Sequence, residues 1–205
     1  MRAFLAIALP DAVRTSLAAL QRGLAQSGAD VKWVQPEHLH VTMKFLDDIS
    51  EEERAQVEAF VAGIAGRQPR FALGLEQLGA FPTLAAPCVI WAGLGQGKDI
   101  LARLAQEIEQ EGAAMTLRRE ALSAPARFAS QSEAAGAQAA RPFAAHITLG
   151  RVRSPRKRQA LVDALQHARW EPPPAWEAAG ITLYRSDLSS AGPRYTVLAE
   201  LPFAG

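Results

Sequence analysis

The amino-acid sequence predicts an α+β fold built from two related units that face each other across a cleft. Short apolar runs with strand character alternate along the chain with stretches of helical spacing. A pattern of histidine, β-branched residue, threonine and apolar residue occurs twice, at 40–43 and 146–149, and a helix start follows each copy at a similar distance. Two such units related by a rough two-fold axis would bring their equivalent strands together.

The first part of the chain predicts three strands and two helices. Strand character is found at 2–9, 31–34 and 39–45. A helix that begins near Pro10 is indicated by apolar residues at helical spacing, namely Val13, Leu17, Leu20 and Leu24. The next helix begins at Ser50, whose side chain can form a capping box with Glu53, and its end is predicted at Gly66.

The middle of the chain predicts two strands, a helix and a long irregular segment. The strands at 71–75 and 88–94 flank a loop that contains Phe81-Pro82, and apolar residues at helical spacing over 101–108 mark the third helix. Residues 120–141 are rich in Ala, Ser, Gln and Gly without periodicity. That composition predicts a long surface excursion.

The last part of the chain is predicted to contain the strand with the second histidine–threonine pattern, a helix and two closing strands. After the strand around His146, Ser154-Pro155 supplies an N-cap and a first helical residue for the fourth helix. A proline-rich stretch at 170–174 predicts a rigid connector. The closing strands are expected at 181–185 and 195–201.

The charge, the cysteine count and the apolar runs of the chain argue against several classes of protein. The chain has 22 basic and 21 acidic residues and a formal charge of +1, so no overall field draws it to nucleic acid or membrane. Its single cysteine, Cys88, excludes an internal disulfide and is expected to be a small buried residue. The opening apolar run is too short for a signal peptide, and no segment approaches the ~20 apolar residues of a membrane span. We expect one domain over 1–205, a monomer, in the cytoplasm.

The repeated pattern offers acid–base chemistry. Because successive strand residues alternate faces, His40 and Thr42 share one face, as do His146 and Thr148. Imidazole, with an ordinary pKa of ~6.5, gives and takes protons at neutral pH. Threonine hydroxyls can donate hydrogen bonds to non-bridging phosphate oxygens. Two acid–base groups and two donors around one centre suit displacement at a phosphodiester, which then requires no metal.

Either histidine taken alone is ordinarily a residue of a half-buried strand. Two copies with matched neighbours and matched downstream helices favour a paired site instead. His38 shares a face with His40, and a His-x-His pair can chelate a metal. Pro36 puts His38 at a loop or strand edge, which favours a surface or wall histidine over a ligand. We therefore predict no metal and no cofactor.

Several other side chains are weaker binding candidates. Trp33, Phe81 and Tyr184 are candidates to stack a nucleobase, although core packing is the commoner use of aromatic residues, and the sequence does not choose among them. A basic run near the second motif is ordinarily a solvated face. Its first residue lies at the mouth of the expected cleft, where part of the run can steer a phosphate chain. The run consists of Arg151, Arg153, Arg156, Lys157 and Arg158.

Five blocks of the sequence resemble a known family. They are RAFLAIALPDAVR, VKWVQPEHLHVTMKFL, VIWAGL, FAAHITLGRV and LYRSDLSSAGPRYTVLAEL, and together they span nearly the whole chain. The chain resembles the two-histidine (2H) phosphoesterases, specifically the LigT-like RNA 2′,3′-cyclic phosphodiesterases. The resemblance implies a bilobed α+β fold, with two pseudo-symmetric lobes that each carry a mainly antiparallel sheet and outer helices. It also implies an active-site cleft between the lobes.

The resemblance further implies a reaction and its residues. RNA ends with a 2′,3′-cyclic phosphate would be hydrolysed to 2′-phosphate ends without a metal, and the same chemistry run backwards would ligate RNA ends. His40 and His146 match the family's catalytic pair, and Thr42 and Thr148 match its phosphate-binding hydroxyls. Arg151 matches an arginine that often follows the second motif. We take His146 to activate the water and His40 to protonate the departing 3′-oxygen, with the opposite assignment left open.

Three positions depart from the family's pattern. His38 stands where Asn is common, Asp47 where the first block often has Gly, and Ala145 where Pro usually precedes the second histidine. These positions affect walls and turns, and therefore substrate detail, more than the reacting groups. Two other function classes stay open: a two-histidine enzyme for a small cyclic phosphate or nucleotide metabolite, and an RNA-end-binding module without turnover.

Overall fold

The structure, a computed structural model, describes residues 1–114, 143–189 and 192–205, and this part of the chain contains ten strands and four helices. The helices are α1 (Asp11–Ala25), α2 (Glu51–Ala65), α3 (Lys98–Ala114) and α4 (Arg158–Gln166). The strands are β1 (Arg2–Ala8), β2 (Val31–Trp33), β3 (His40–Asp48), β4 (Phe71–Leu73), β5 (Leu75–Pro82), β6 (Pro87–Leu94), β7 (His146–Val152), β8 (Trp176–Ala178), β9 (Gly180–Ser189) and β10 (Gly192–Pro202). The excursion predicted at 120–141 lies outside the described residues.

Eight of the ten described strands form one antiparallel sheet, and its two halves meet at β3 and β7, the motif strands that carry the two His-x-Thr patterns. One lobe carries the order β10-β9-β1-β3, and the other carries β7-β6-β5 with β2 paired to β7. The lobes join where β3 and β7 pair at Val41 and Ile147. The predicted α+β fold with mainly antiparallel sheets is confirmed.

The chain order of the elements repeats. β1, α1, β3, α2, β4 and β5 follow one another in the same sense as β6, α3, β7, α4, β8 and β9. In each unit the final strand crosses to the other lobe, since β5 pairs with β6 and β9 pairs with β1. The short strands β4 and β8 pair with each other. Each lobe therefore contains strands from both units, which holds the two motif strands together.

The helices cover one face of each lobe. α2 packs on β9, β10 and α3, and α3 packs on β3, while α1 lies against α4. Gln21 of α1 donates to the main-chain carbonyls of Val34 and Leu149, which ties that helix to β7. Within the described residues no helix is both long and apolar enough to cross a membrane. With the helices on one side, the opposite face of both sheets is left for the cleft.

Several boundaries agree with the sequence predictions. Ser50 and Glu53 form the predicted capping box, and Gly66 ends α2. α4 differs, because it begins at Arg158 and its N-cap is Lys157, a residue in the left-handed conformation. Ser154 and its proline therefore belong to the preceding turn and do not cap the helix.

Two strands were not predicted. The segment that contains Phe81-Pro82 is strand β5 rather than a loop, and it pairs with β6 along its whole length. Glycine and proline weaken its local strand signal, and the tertiary pairing overrides that weakness. The three-residue strand β8 is too short to give a periodicity. The structure also extends the two closing strands beyond the predicted bounds, to β9 and β10.

Candidate active site

The two motif strands lie side by side at the junction of the lobes. Val41 of β3 pairs with Ile147 of β7, and both side chains are fully buried. The residues that flank them therefore point the other way, into the cleft between the lobes. The sequence alternation predicted this division, in which each strand contributes an apolar residue to the core and a histidine and a threonine to the opposite face.

The antiparallel register brings the four motif side chains together. β3 and β7 pair at Val41 and Ile147, so the residues that flank this pair, His40 and Thr42 on one strand and His146 and Thr148 on the other, lie near one another. His40 and His146 are close enough to interact electrostatically. Two imidazoles and two hydroxyls therefore lie around one part of the cleft.

Both imidazoles are oriented by the same main-chain contact. His40 Nδ1 lies 2.7 Å from the carbonyl oxygen of His38, and His146 Nδ1 lies 2.6 Å from that of Ala144. A carbonyl only accepts hydrogen bonds, so Nδ1 carries the proton in each ring. Nε2 is left to accept a proton from a ligand or, once protonated, to donate one.

A bulge follows each threonine. Relative to its neighbour β1, β3 contains the extra residue Met43. Relative to its neighbour β6, β7 contains the extra residue Leu149. A bulge shifts later side chains by one position, so residues that a regular strand would turn into the core face the cleft instead. Phe45 and Arg151, each five residues after its histidine, are the side chains moved in this way. Phe45 is 41% exposed.

Arg151 is a partly buried cation beside the second histidine. Burial lowers the pKa of the Arg151 guanidinium, and the Tyr195 phenol acts in the opposite direction. Its strand neighbour Lys32 of β2 is exposed. Among the described residues no carboxylate forms an ion pair with Arg151. A partly buried arginine without a counter-ion favours binding of an anion.

Both histidines are held toward the neutral form. Burial is the main cause that lowers the pKa of His40 to about 4, and the charges of His38 and His146 contribute in the same direction. The pKa of His146 is also lowered, first by burial and then by the positive charge of Arg151. In both rings the hydrogen bond to the main-chain carbonyl opposes the shift. The surroundings of both imidazoles therefore disfavour positive charge on either ring.

Aromatic rings enclose His40. The ring centroid of Phe4 lies 4.9 Å from that of His40, and those of Tyr195 and Tyr184 lie at 5.6 and 6.4 Å. His38, at the end of a 3₁₀ turn, contacts the Tyr195 ring at 4.7 Å and forms part of this wall. Sequence reasoning proposed Tyr184 and missed Phe4 and Tyr195.

A second aromatic pair flanks His146. Phe81 meets its ring edge-on at 5.3 Å, and Trp91 lies at 6.3 Å. Trp91 covers Gly79, where an added Cβ would lie only 2.1 Å from the indole, so only glycine fits beneath it. Sequence reasoning missed Trp91, although strand alternation separates it from the buried Ile90. Trp33, also proposed for base stacking, packs against the hydrophobic core instead.

The remaining basic residues near the second motif separate into two groups. Arg153 forms an ion pair with Asp30 at 3.0 Å. The other three are exposed near the start of α4, namely Arg156, Lys157 and Arg158. Of the predicted basic run, only Arg151 therefore lies among the motif side chains. In the part of the chain that the structure describes, no three His, Cys, Asp or Glu side chains cluster as metal ligands.

The fold and this site define a class: two-lobed α+β proteins with paired His-x-Thr strands in a central cleft. A model of the family described as LigT like Phosphoesterase matches residues 7–91 and 114–195. The chain belongs to this family.

Named relatives resemble the chain over almost its full length. An RNA 2′,3′-cyclic phosphodiesterase of Thermus thermophilus is 31% identical over 206 residues, covering 100% of this chain and 91% of the relative. One of Aeropyrum pernix is 31% identical over 188 residues, covering 92% and 95%. Among solved structures, TT0787 of Thermus thermophilus matches with a TM-score of 0.73 at 30% identity, covering 100% and 99% of the two chains. E. coli LigT complexed with 3′-AMP matches with a TM-score of 0.70 at 26% identity, covering 100% and 98%.

Proposed function

We propose that the protein hydrolyses RNA ends that carry a 2′,3′-cyclic phosphate, leaving a 2′-phosphate, by acid–base catalysis with His40 and His146. The observation that carries this proposal is the pair of imidazoles on adjoining strands, each with its Nδ1–H directed to a main-chain carbonyl and its Nε2 left for the reaction. The names of the relatives support a cyclic phosphate at an RNA end as the substrate.

His146 activates the attacking water. A general base must be neutral before the reaction, and both burial and Arg151 favour the neutral form of this ring. Water bound near Nε2 loses its proton to that nitrogen as its oxygen attacks phosphorus. The positive charge of Arg151 opposes protonation of the free ring, so the base is available at neutral pH.

His40 protonates the departing 3′-oxygen. Burial is the main reason that this ring resists a proton in the free protein. An anionic phosphate in the same enclosed space attracts an imidazolium strongly, because charges interact more at low dielectric, and so it offsets the cost of burial. The neighbouring charges that lower the pKa of His40 are those of two other histidines, His38 and His146.

Thr42, Thr148 and Arg151 hold the phosphate. The two hydroxyls donate to its non-bridging oxygens, and the guanidinium balances the charge that these oxygens carry as phosphorus changes partners. Hydrolysis breaks the bond between phosphorus and the 3′-oxygen and retains the bond to the 2′-oxygen. Proton transfer and charge stabilisation are both supplied by side chains, so the proposed reaction does not require a metal.

The same groups catalyse ligation, by the same displacement at phosphorus, when an alcohol replaces water. A 5′-hydroxyl of a second RNA end would lose its proton to His146 and attack phosphorus, and the 3′-oxygen would leave with a proton from His40. The product is a 2′–5′ phosphodiester. The protein therefore acts as a ligase when a 5′-hydroxyl end is bound beside His146, and as a hydrolase otherwise.

A single incubation tests the reaction, the metal requirement and the bond that breaks. An oligoribonucleotide with a 2′,3′-cyclic phosphate is incubated with the protein in EDTA, and the end group is identified. We expect a 2′-phosphate. A 3′-phosphate would contradict the proposed leaving group, and loss of all activity in EDTA would contradict metal independence.

Competition between substrates tests the substrate class. Cyclic-phosphate-ended oligonucleotides and 2′,3′-cyclic mononucleotides are offered together, and we expect the oligonucleotide to be hydrolysed with the higher kcat/KM. Preference for the mononucleotide would identify a small metabolite as the substrate. Binding of both without turnover would identify an RNA-end-binding module.

A further inference from the structure

The two tyrosines of the chain both lie in the cleft, and their surroundings differ. Tyr184 stacks on Phe4, with ring centroids 5.2 Å apart and planes at 17°. Burial raises the pKa of Tyr184, and the neighbouring Thr182 side chain opposes that rise. Tyr195 stands edge-on to Phe4 at 4.9 Å and 70°. The hydroxyl of Tyr184 therefore has a polar neighbour on its own strand, the side chain of Thr182. The hydroxyl of Tyr195 has no such neighbour on its strand among the described residues.

Tyr195 is fixed in direction by its neighbours. Its ring contacts His38 at 4.7 Å and meets the His40 ring edge-on, at 5.6 Å and 80°, so three rings hold it beside the first motif. Among the described residues its hydroxyl has no hydrogen-bond partner. A hydroxyl in a cleft on a ring that cannot easily turn is a preorganised donor for a ligand.

The first residue of β10, the strand that carries Tyr195, lies close to the other lobe. A Cβ at Gly192, the first residue of β10, would lie 3.9 Å from Lys32 Nζ, and Lys32 pairs with Arg151 across β2 and β7. Three residues later, Tyr195 lies within electrostatic reach of Arg151. The Tyr195 phenol and the Arg151 guanidinium therefore approach the same part of the cleft from opposite lobes.

The charge state of this pair suits an anion. Burial raises the pKa of Tyr195, and Arg151 opposes the rise, so the phenol stays protonated at neutral pH and is able to donate. Arg151 has no carboxylate partner in the described part of the chain. A neutral donor and an uncompensated cation that converge beside two histidines match the oxygens of a phosphate.

We propose that Tyr195 is a substrate-binding residue whose O–H donates a hydrogen bond to the phosphate in the cleft, working with Arg151 from the opposite lobe. This proposal rests on the phosphate site of the proposed function. It adds a donor that the His-x-Thr motifs do not contain, and it couples substrate binding to the contact between the lobes.

Removing one hydroxyl at a time tests the proposal. Tyr195→Phe keeps the ring contacts with His38 and His40 and removes only the O–H, and Tyr184→Phe is the matched control. We expect Tyr195→Phe to weaken binding of inorganic phosphate and to raise KM by about tenfold, the usual scale for a hydrogen bond to a charged group. Tyr184→Phe should change both by less than about twofold. Equal effects of the two variants would overturn the proposal.

A double-mutant cycle with Arg151→Ala tests the cooperation. If both groups bind one phosphate, the loss in phosphate affinity for the double variant should differ from the product of the single losses. If the loss for the double variant equals the product of the two single losses, Tyr195 and Arg151 act independently, which contradicts the proposed cooperation.

A spectroscopic measurement is independent of turnover. With 3-fluorotyrosine incorporated, the protein gives two ¹⁹F signals, which the two Tyr→Phe variants assign. Titration with inorganic phosphate should shift the Tyr195 signal and leave the Tyr184 signal in place. If the Tyr195 signal shifts but no cyclic phosphate is hydrolysed, Tyr195 is a phosphate ligand and the proposed function fails. If hydrolysis proceeds and that signal does not move, the function stands and Tyr195 is structural.

Discussion

In both lobes the motif histidine donates its Nδ1–H to the carbonyl two residues earlier, and in both motif strands a bulge follows the threonine. The backbone of the site is thus duplicated. The side chains that the bulges turn into the cleft differ, since the strand of His40 presents Phe45 and the strand of His146 presents Arg151. One histidine is therefore enclosed by aromatic rings and the other has a cation beside it.

Two copies of one motif acquire different chemistry through the side chains around them. Duplicated backbone supplies two imidazoles in equivalent geometry, which alone would make acid and base interchangeable. The neighbours then make the two rings different. Burial is the main cause of the lowered pKa at both, and Arg151 adds a fixed positive charge at His146 only. Each of the following experiments alters either a residue type that both motifs share or a feature that only one of them has.

Removing either imidazole should have the largest effect. His40→Ala and His146→Ala should each lower kcat on a cyclic phosphate by ~10²-fold or more, because general acid or base catalysis is lost, while product binding changes much less. His167→Ala, at the end of α4 and outside the cleft, is the matched control and should retain activity. A double His40/His146 variant that works at the wild-type rate would exclude this mechanism.

Folding stability should depend on pH through the same histidines. The pKa of His40 is about 4 in the folded protein and near 6.5 when unfolded, so below pH 6.5 the unfolded state binds the extra proton. Stability is therefore fully present above pH 6.5 and falls as pH is lowered towards 4, by up to about 3 kcal/mol from this residue.

Urea unfolding at pH 7 and pH 4.5 measures that loss. His40→Gln should remove more of the pH dependence than His146→Gln, because the downward shift is the larger at His40. An equal reduction in both variants would mean that the two rings are equally disfavoured as cations, and the electrostatic difference between the lobes would disappear.

Much of this site could be predicted from the sequence, because the alternation of side chains along a strand depends only on neighbouring residues. It put His40, Thr42, His146 and Thr148 on outward faces, and the repeat indicated that the two strands would meet. Arg151 was indicated by the basic run and by the resemblance but not by strand alternation, since the fifth position after His146 lies on the wrong face of a regular strand. The bulge at Leu149 depends on pairing with β6, which no local pattern encodes.

The aromatic walls around the histidines were harder to predict, because they also depend on contacts between segments that are distant in the sequence. Tyr195 reaches His40 only because β9 and β10 cross from the second unit into the first lobe, so the contact spans 155 positions of the sequence. Trp33 was a plausible stacking residue by type, and its position on the core side follows from pairing with Gly150 of β7. Contacts between units follow from the exchange of strands rather than from spacing within one segment.

Removing the cation should affect both binding and the pH profile. Arg151→Ala should weaken phosphate binding by about tenfold or more, since a charge-assisted contact is lost. Arg151 lowers the pKa of His146, so the variant should raise that pKa and move the acidic limb of kcat/KM to higher pH, because the base must be neutral. Phe45→Ala, the equivalent position in the other lobe, is the matched control and should leave that limb unchanged.

The threonines should contribute less than the charged groups. Thr42→Val and Thr148→Val keep the branched shape and remove one neutral donor each, so kcat/KM should fall by about two- to tenfold per substitution. Thr196→Val on an exposed part of β10 is the control. If one threonine costs far more than the other, the symmetric sharing of the phosphate oxygens between lobes would be wrong.

The two motif strands end differently, and this difference should have only a modest effect on stability. β3 continues to Asp48 through Asp47, which has the left-handed φ of 56°, whereas the second motif strand stops at Val152. Aspartate tolerates this conformation better than most residues other than glycine. Asp47→Ala should lower the free energy of unfolding by about 1 kcal/mol, and Asp47→Gly should leave it equal or higher, because glycine adopts positive φ without strain. Urea unfolding of both variants measures the difference. The opposite order would mean that the aspartate side chain, rather than backbone strain, decides stability at this turn.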